Sequence, residues 1–205
     1  EACFVKEMSV VTDSMIVHCF DTIISDLKHV DPPKPEYDTS QQYGIFVTWK
    51  IHKRGELQLR GCIGCLVPIP LTEIEHYARE SAFNDFRFDP IKEKEIPSLQ
   101  CSVSLLHSFE DAKDYKDWEV GKHGIRITFH HGGRAYRATY LPEVAPEQGW
   151  DQETTIRHLI EKAGCSYDAS ILPSIQLQRY QTEKRTMQYE EYVSYIQSKG
   201  RHSLQ

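Results

Sequence analysis

Ile125, Ile127 and Phe129 alternate with Arg126, Thr128 and His130, the two-residue period of a strand with one face in a core and the other in water. Gly132-Gly133 follows, a pair able to take the positive φ values of a tight hairpin turn, and residues 134–141 form the return strand. This hairpin commits at least part of the sheet to antiparallel pairing. The rest of the chain mixes strands and helices without a regular βαβ rhythm, which excludes a doubly wound parallel sheet.

Helical spacing appears first at Met15, Ile16, Cys19, Phe20, Ile23, Ile24 and Leu27, with Thr12 or Asp13 as the cap. Asp31-Pro32-Pro33-Lys34-Pro35 cannot continue a helix and reads as an extended connection. Residues 43–51 are aromatic and β-branched and predict a strand; Lys53-Arg54-Gly55 predicts a turn. A second strand runs from about Leu57 into Leu59-Arg60-Gly61-Cys62-Ile63-Gly64-Cys65-Leu66, whose two glycines predict a strand-to-turn exit. Pro68 and Pro70 punctuate it, and Thr72 with Glu75 predicts a capping box for a helix with Ile74, Tyr77, Ala78 and Ala82 inward.

Residues 84–90 read as a loop and 99–107 as a strand, and 109–121 is acidic and aromatic with a helical turn around Trp118. After the double-glycine hairpin, 142–150 reads as a loop. Asp151 caps a helix that turns Ile156, Leu159, Ile160 and Ala163 inward and ends at Gly164. Residues 175–180 alternate as a strand and 187–199 close the chain as a helix, with Tyr189, Val193 and Ile196 inward. The fold class is therefore α+β, a mainly antiparallel sheet with packed helices.

Two hundred and five residues, 40% of them hydrophobic and 26% charged, suit one domain with a sizeable core. A net charge of −6 gives no overall pull towards phosphate backbones or anionic lipid, and argues against nucleic acid as a partner. No stretch approaches the ~20 apolar residues of a membrane span. The six cysteines are too widely spaced for a stapled mini-domain, so reduced thiols in cytosol or nucleus are expected.

Cys62 is the candidate nucleophile. Gly61 and Gly64 beside it allow close approach of a ligand, and Arg60 offers a fork matched to a carboxylate or phosphate. A thiolate needs a nearby cation or backbone N–H groups to be reactive; a small buried cysteine beside glycines is the alternative. Cys62-x-x-Cys65 lacks the helix that follows a thioredoxin-type dithiol, and no second ligand pair completes a zinc site. His123 and Glu143 fall at the paired ends of the 125–141 hairpin, a histidine–carboxylate set suited to general base work. Were the Cys62 stretch to face that end, a Cys62–His123–Glu143 constellation would result.

The wording FVTWK, LRGCIG, CSVSLL, DWEVGKHGIRI, ATYLPEVAPEQGW and TMQYEEY, in that order, resembles the AMME syndrome candidate protein family, the AMMECR domain, in its eukaryotic branch. The resemblance runs over 12–196, leaving 1–11 and 197–205 as flanking tails. Cys65 stands where that branch usually has threonine or serine, so the dithiol is incidental. With no cofactor fingerprint and no metal-ligand set among the residues, no cofactor and no metal are expected. The resemblance implies a major and a minor lobe with a cleft near Leu59–Gly64. It implies protein partners, ubiquitin-ligase components among them, and a cytoplasmic or nuclear site of action. Microbial relatives join the domain to a Memo-like domain and a radical-SAM enzyme. Two functions follow as expectations: a regulatory or binding module using that cleft, or a cysteine-dependent enzyme acting on a small anionic or peptide substrate.

Overall fold

The computed structural model describes residues 9–201; Cys3 and the tail segments 1–8 and 202–205 lie outside them. The element order is α1 (Asp13–Lys28), β1 (Gln42–Lys53), β2 (Glu56–Pro70), α2 (Ile74–Phe83), β3 (Leu99–Asp111), β4 (Gly124–His131), β5 (Arg134–Tyr140), α3 (Val144–Gln148), α4 (Gln152–Lys162), β6 (Gln176–Gln188) and α5 (Tyr189–Ser198). The strand order is β2-β1-β3-β6-β4-β5, and the pairs β1–β2, β4–β5 and β4–β6 are antiparallel. The expected α+β class holds. The chain forms two units: residues up to Leu105 together with those from Glu183 onward, and Leu106–Thr182. The chain crosses from one to the other within β3 and within β6.

In the first unit α1 buries Ile16, Cys19, Phe20 and Ile23, the apolar face its spacing predicts. His29, in the left-handed region at φ 58°, and Val30 donate their N–H groups back to Asp26 and Ser25, closing the helix before the prolines. In β1, Ile45, Val47 and Trp49 are fully buried while Phe46, Thr48 and Lys50 are half-buried on the other face. The Trp49 indole donates to the Ala78 carbonyl of α2 at 3.2 Å. Tyr192 of α5 stacks on Phe20, and its hydroxyl donates to Asp21, which Arg201 also grips at 2.9 Å. Ser9 and Val10 hydrogen-bond the Glu183 carboxylate, and Val11 is buried in this core.

The second unit is built on the β4–β5 hairpin, with Ile125 facing Tyr140 and Phe129 facing Tyr136. Gly132 and Gly133 take φ 55° and 77°, as the turn requires. Ile156, Leu159 and Ile160 of α4 bury against Ile125, Ile127 and Phe129. Asp151 caps α4 by accepting the Thr154 N–H at 2.7 Å.

Four expectations change. Thr72 and Glu75 form no capping box: a 3₁₀ turn, Leu71–Glu73, leads into α2, and the Ile74 N–H bonds Leu71 rather than a side chain. Within 142–150 lies α3, ended by Gly149 at φ 68°. The third strand extends to Asp111, because exposed polar residues still pair in a ladder whose bonds are backbone ones. The 175–180 strand continues to Gln188, delaying the last helix to Tyr189, where Gln188 and Glu191 cap it. No helix among the described residues is long and apolar enough to cross a membrane.

Candidate functional site

Leu59–Leu66 is not a turn. It lies inside β2, paired along β1 with Trp49 opposite Gly61, Thr48 opposite Cys62 and Phe46 opposite Gly64. Neither glycine has positive φ. Their smallness is needed for contact instead. A Cβ on Gly61 would come within 1.9 Å of the Ser81 carbonyl oxygen, and one on Gly64 within 2.2 Å of the Ile45 oxygen and 2.5 Å of the Phe46 ring. The register skips at Trp49–Lys50, which face Gly61 and Leu59, so Arg60 is the extra residue of a β-bulge.

The bulge aims Arg60 at the chain after α2. Its Nε and Nη2 donate to both oxygens of Glu95 at 2.9 and 3.1 Å, and Nη1 donates to the Asp89 carbonyl at 2.7 Å. The fork expected to hold an anionic ligand is engaged by the protein's own carboxylate. That ion pair, with burial opposing it, holds the Glu95 carboxyl below the usual range.

Cys62 is half-buried. β2 ends the strand order, so the Cys62 backbone faces outward at the sheet edge. Two side chains of the 84–90 loop satisfy it: Asp85 Oδ2 accepts the Cys62 N–H at 2.9 Å, and Arg87 Nη2 donates to the Cys62 carbonyl at 3.2 Å. Arg87 also grips Asp85 at 2.7 Å, and these bonds hold the buried Asp85 carboxyl well below the usual carboxylate range. The pair closes the edge as a short strand would. On the thiol, Thr48 Oγ1 donates to Sγ at 3.2 Å, and the Arg87 guanidinium is on the carbonyl of the same residue. Among the described residues no histidine or carboxylate hydrogen-bonds the sulfur. Cys65 lies beside the Tyr77 hydroxyl. The five described cysteines are all free.

A cleft of about 610 Å³ opens next to Arg60, lined by Ile51, Lys53, Leu59, Phe88, Lys92 and Lys94 among others. Leu59 is 40% exposed there. Lys92 and Lys94 read in the sequence as part of a solvated helix face; Lys92 precedes the 3₁₀ turn Glu93–Ser98, Lys94 lies within it, and both line this cleft.

His123 and Glu143 belong to the second unit, and Cys62, Arg60, Gly61 and Gly64 to the first. His123 is 8% exposed, and its Nδ1 accepts the Glu119 N–H at 2.9 Å, leaving the proton of the neutral ring on Nε2. Burial, then Arg179 and Lys122, lower its pKa. It lines a polar cavity with Glu110, Lys116, Asp117 and Arg179. Glu143 is exposed at the start of α3 and makes no hydrogen bond or ion pair with His123. Thr48 is the participant that sequence reasoning missed. Its only signal is the alternation of β1, which turns it away from the buried face.

A family model described as AMMECR1 matches residues 16–185. An uncharacterized protein of Arabidopsis thaliana is 45% identical over 190 residues, covering 90% of this chain and 88% of its own. One of Schizosaccharomyces pombe is 39% identical over 89% of this chain and 96% of its own. A protein of the archaeon Methanocaldococcus jannaschii is 33% identical over 70% and 73% respectively. The crystal structure of an uncharacterized protein from Pyrococcus horikoshii is similar at a TM-score of 0.70 and 26% identity, covering 85% of this chain and 90% of that one.

Proposed function

The chain belongs to the AMMECR1 family, and on that premise we propose that it is a regulatory binding module whose contact surface is the cleft beside Arg60. The observation that carries this reading is the cleft itself: about 610 Å³, apolar at Ile51, Leu59 and Phe88 and cationic at its lysines. The LRGCIG stretch is the cleft's support. Gly61 lets α2 approach, the bulge directs Arg60 to Glu95, and Asp85 with Arg87 seals the strand edge. The partner is a protein met in cytosol or nucleus, where the free thiols persist.

A photo-crosslinking phenylalanine analogue in place of Leu59 tests this, with the same analogue at exposed Val30 as control. The expected result is a protein captured from Leu59 and not from Val30 that, once purified, binds the unmodified chain and is lost on Leu59→Asp. Capture equal at both positions, or binding unchanged by Leu59→Asp, overturns the reading.

The half-buried Cys62 thiol, on a residue whose carbonyl Arg87 grips, favours a second reading, cysteine chemistry on an anionic or peptide substrate. Iodoacetamide then labels native Cys62 well ahead of half-buried Cys65. Labelling at equal rates retires that reading.

A further inference from the structure

We infer that the cleft beside β2 takes an extended acidic segment of a partner protein, with an apolar side chain of that segment seated on Leu59, Ile51 and Phe88. This rests on the binding-module reading above and adds the chemistry of the occupant.

The charge around the cleft runs against that of the chain. The lining holds four cations, Lys53, Arg60, Lys92 and Lys94, and two carboxylates, Asp89 and Glu95, in a protein of net charge −6. Arg60 and Glu95 neutralise each other through two hydrogen bonds. Lys92 also acts on Glu95, which leaves Lys53 and Lys94 with one aspartate, and no salt bridge joins any of the three lysine amines to a carboxylate among the described residues. Glu93, between Lys92 and Lys94 in sequence, lines a different cavity with Ile24, Leu27 and Tyr189. Of the segment's two carboxylates, Glu93 is thus outside this cleft and Glu95 is inside it but held by Arg60, while Lys92 and Lys94 both line it.

Ammonium groups on flexible stems accept carboxylates arriving in many orientations, and a local positive field speeds encounter with an acidic chain. Leu59 at 40% exposure, with half-buried Ile51 and Phe88, supplies apolar surface that a purely electrostatic site would lack. β2 ends the strand order and Asp85 with Arg87 close its edge at Cys62 alone, so the stretch of edge around Leu59 is left to an extended chain. The apolar floor favours a peptide over a polyphosphate, whose charge is not interleaved with apolar side chains.

The experiment uses a short fluorescein-labelled peptide alternating glutamate with leucine, titrated with the full chain and followed by anisotropy. A peptide with lysine for each glutamate and a labelled polyuridylate serve as the other probes. Saturable binding of the acidic peptide that weakens with added salt is expected. Two charge reversals, Lys92→Glu with Lys94→Glu, should weaken it about tenfold. Lys113→Glu, which lines a cavity in the other unit, should leave it unchanged. Equal binding of the lysine peptide, insensitivity to the double reversal, or polyuridylate binding where the acidic peptide does not, overturns the assignment. If the peptide fails while the Leu59 crosslink still captures a Leu59-dependent protein, the acidic class is wrong and the cleft reading stands; if both fail, both fall.

Discussion

Gly61 shows how a residue's meaning depends on what lies across from it. A glycine beside a cysteine in a β-rich segment suggests a bend, yet the chain there is extended and the space beside Gly61 is filled by the Ser81 carbonyl of α2. Gly61→Ala must move a backbone oxygen rather than a flexible side-chain tip. It is expected to cost about 3 kcal/mol, the upper end for overpacking, read as a lower urea midpoint at unchanged slope. A change under about 0.5 kcal/mol, ordinary for a surface site, would mean that α2 does not pack on this strand. Arg60 gives the same lesson in polar form. Its residue type suits an incoming carboxylate, but Glu95, 35 residues away in sequence, already supplies one.

The elements divide by whether their ends are held by neighbours in sequence. Asp151 caps α4 through its own side chain, a local device that is readable three residues at a time. Thr12, in the same position before α1, makes no cap bond and pairs with the Ser14 hydroxyl instead. Asp151→Ala should therefore destabilise by about 1 kcal/mol and Thr12→Ala by only a few tenths. Thermal or urea unfolding of the two variants checks the contrast, and equal losses would place α1's start under side-chain control as well. The same division explains the errors in element length. The later half of β6 and the end of β3 carry exposed polar residues that no local period marks as strand, and only pairing across the sheet makes them so.

At the scale of the whole molecule, each unit buries one histidine whose pKa burial lowers: His18, which sits 3.4 Å from Glu75, in the first unit and His123 in the second. The unfolded rings take up protons through about pH 6.5, before the folded ones do. Stability is thus unaffected above that pH and declines as pH drops beneath it. Urea midpoints should fall between about pH 7.5 and about pH 5.5, on either side of the unfolded histidine pKa. The double variant His18→Gln, His123→Asn, which keeps an acceptor for the Glu119 N–H, should flatten that fall. An undiminished slope in the double variant would assign the pH response to other groups.

The sequence alone determined the α+β class, the β4–β5 hairpin, the buried faces of α1 and α4, the Asp151 cap and the family. The structural features among these are written in neighbours a few residues apart, in periods of two or of three to four, and so survive without knowledge of the fold; the family rests on the resemblance of its motif wording. Tertiary structure decided that the LRGCIG stretch is a bulged edge strand, that Asp85 and Arg87 close it, and that Lys53 joins Lys92 and Lys94 around one cleft. Those contacts join residues more than 20 positions apart. Chain closure over such distances is enforced by burying a shared core, and no local period records which polar side chains that burial will bring together.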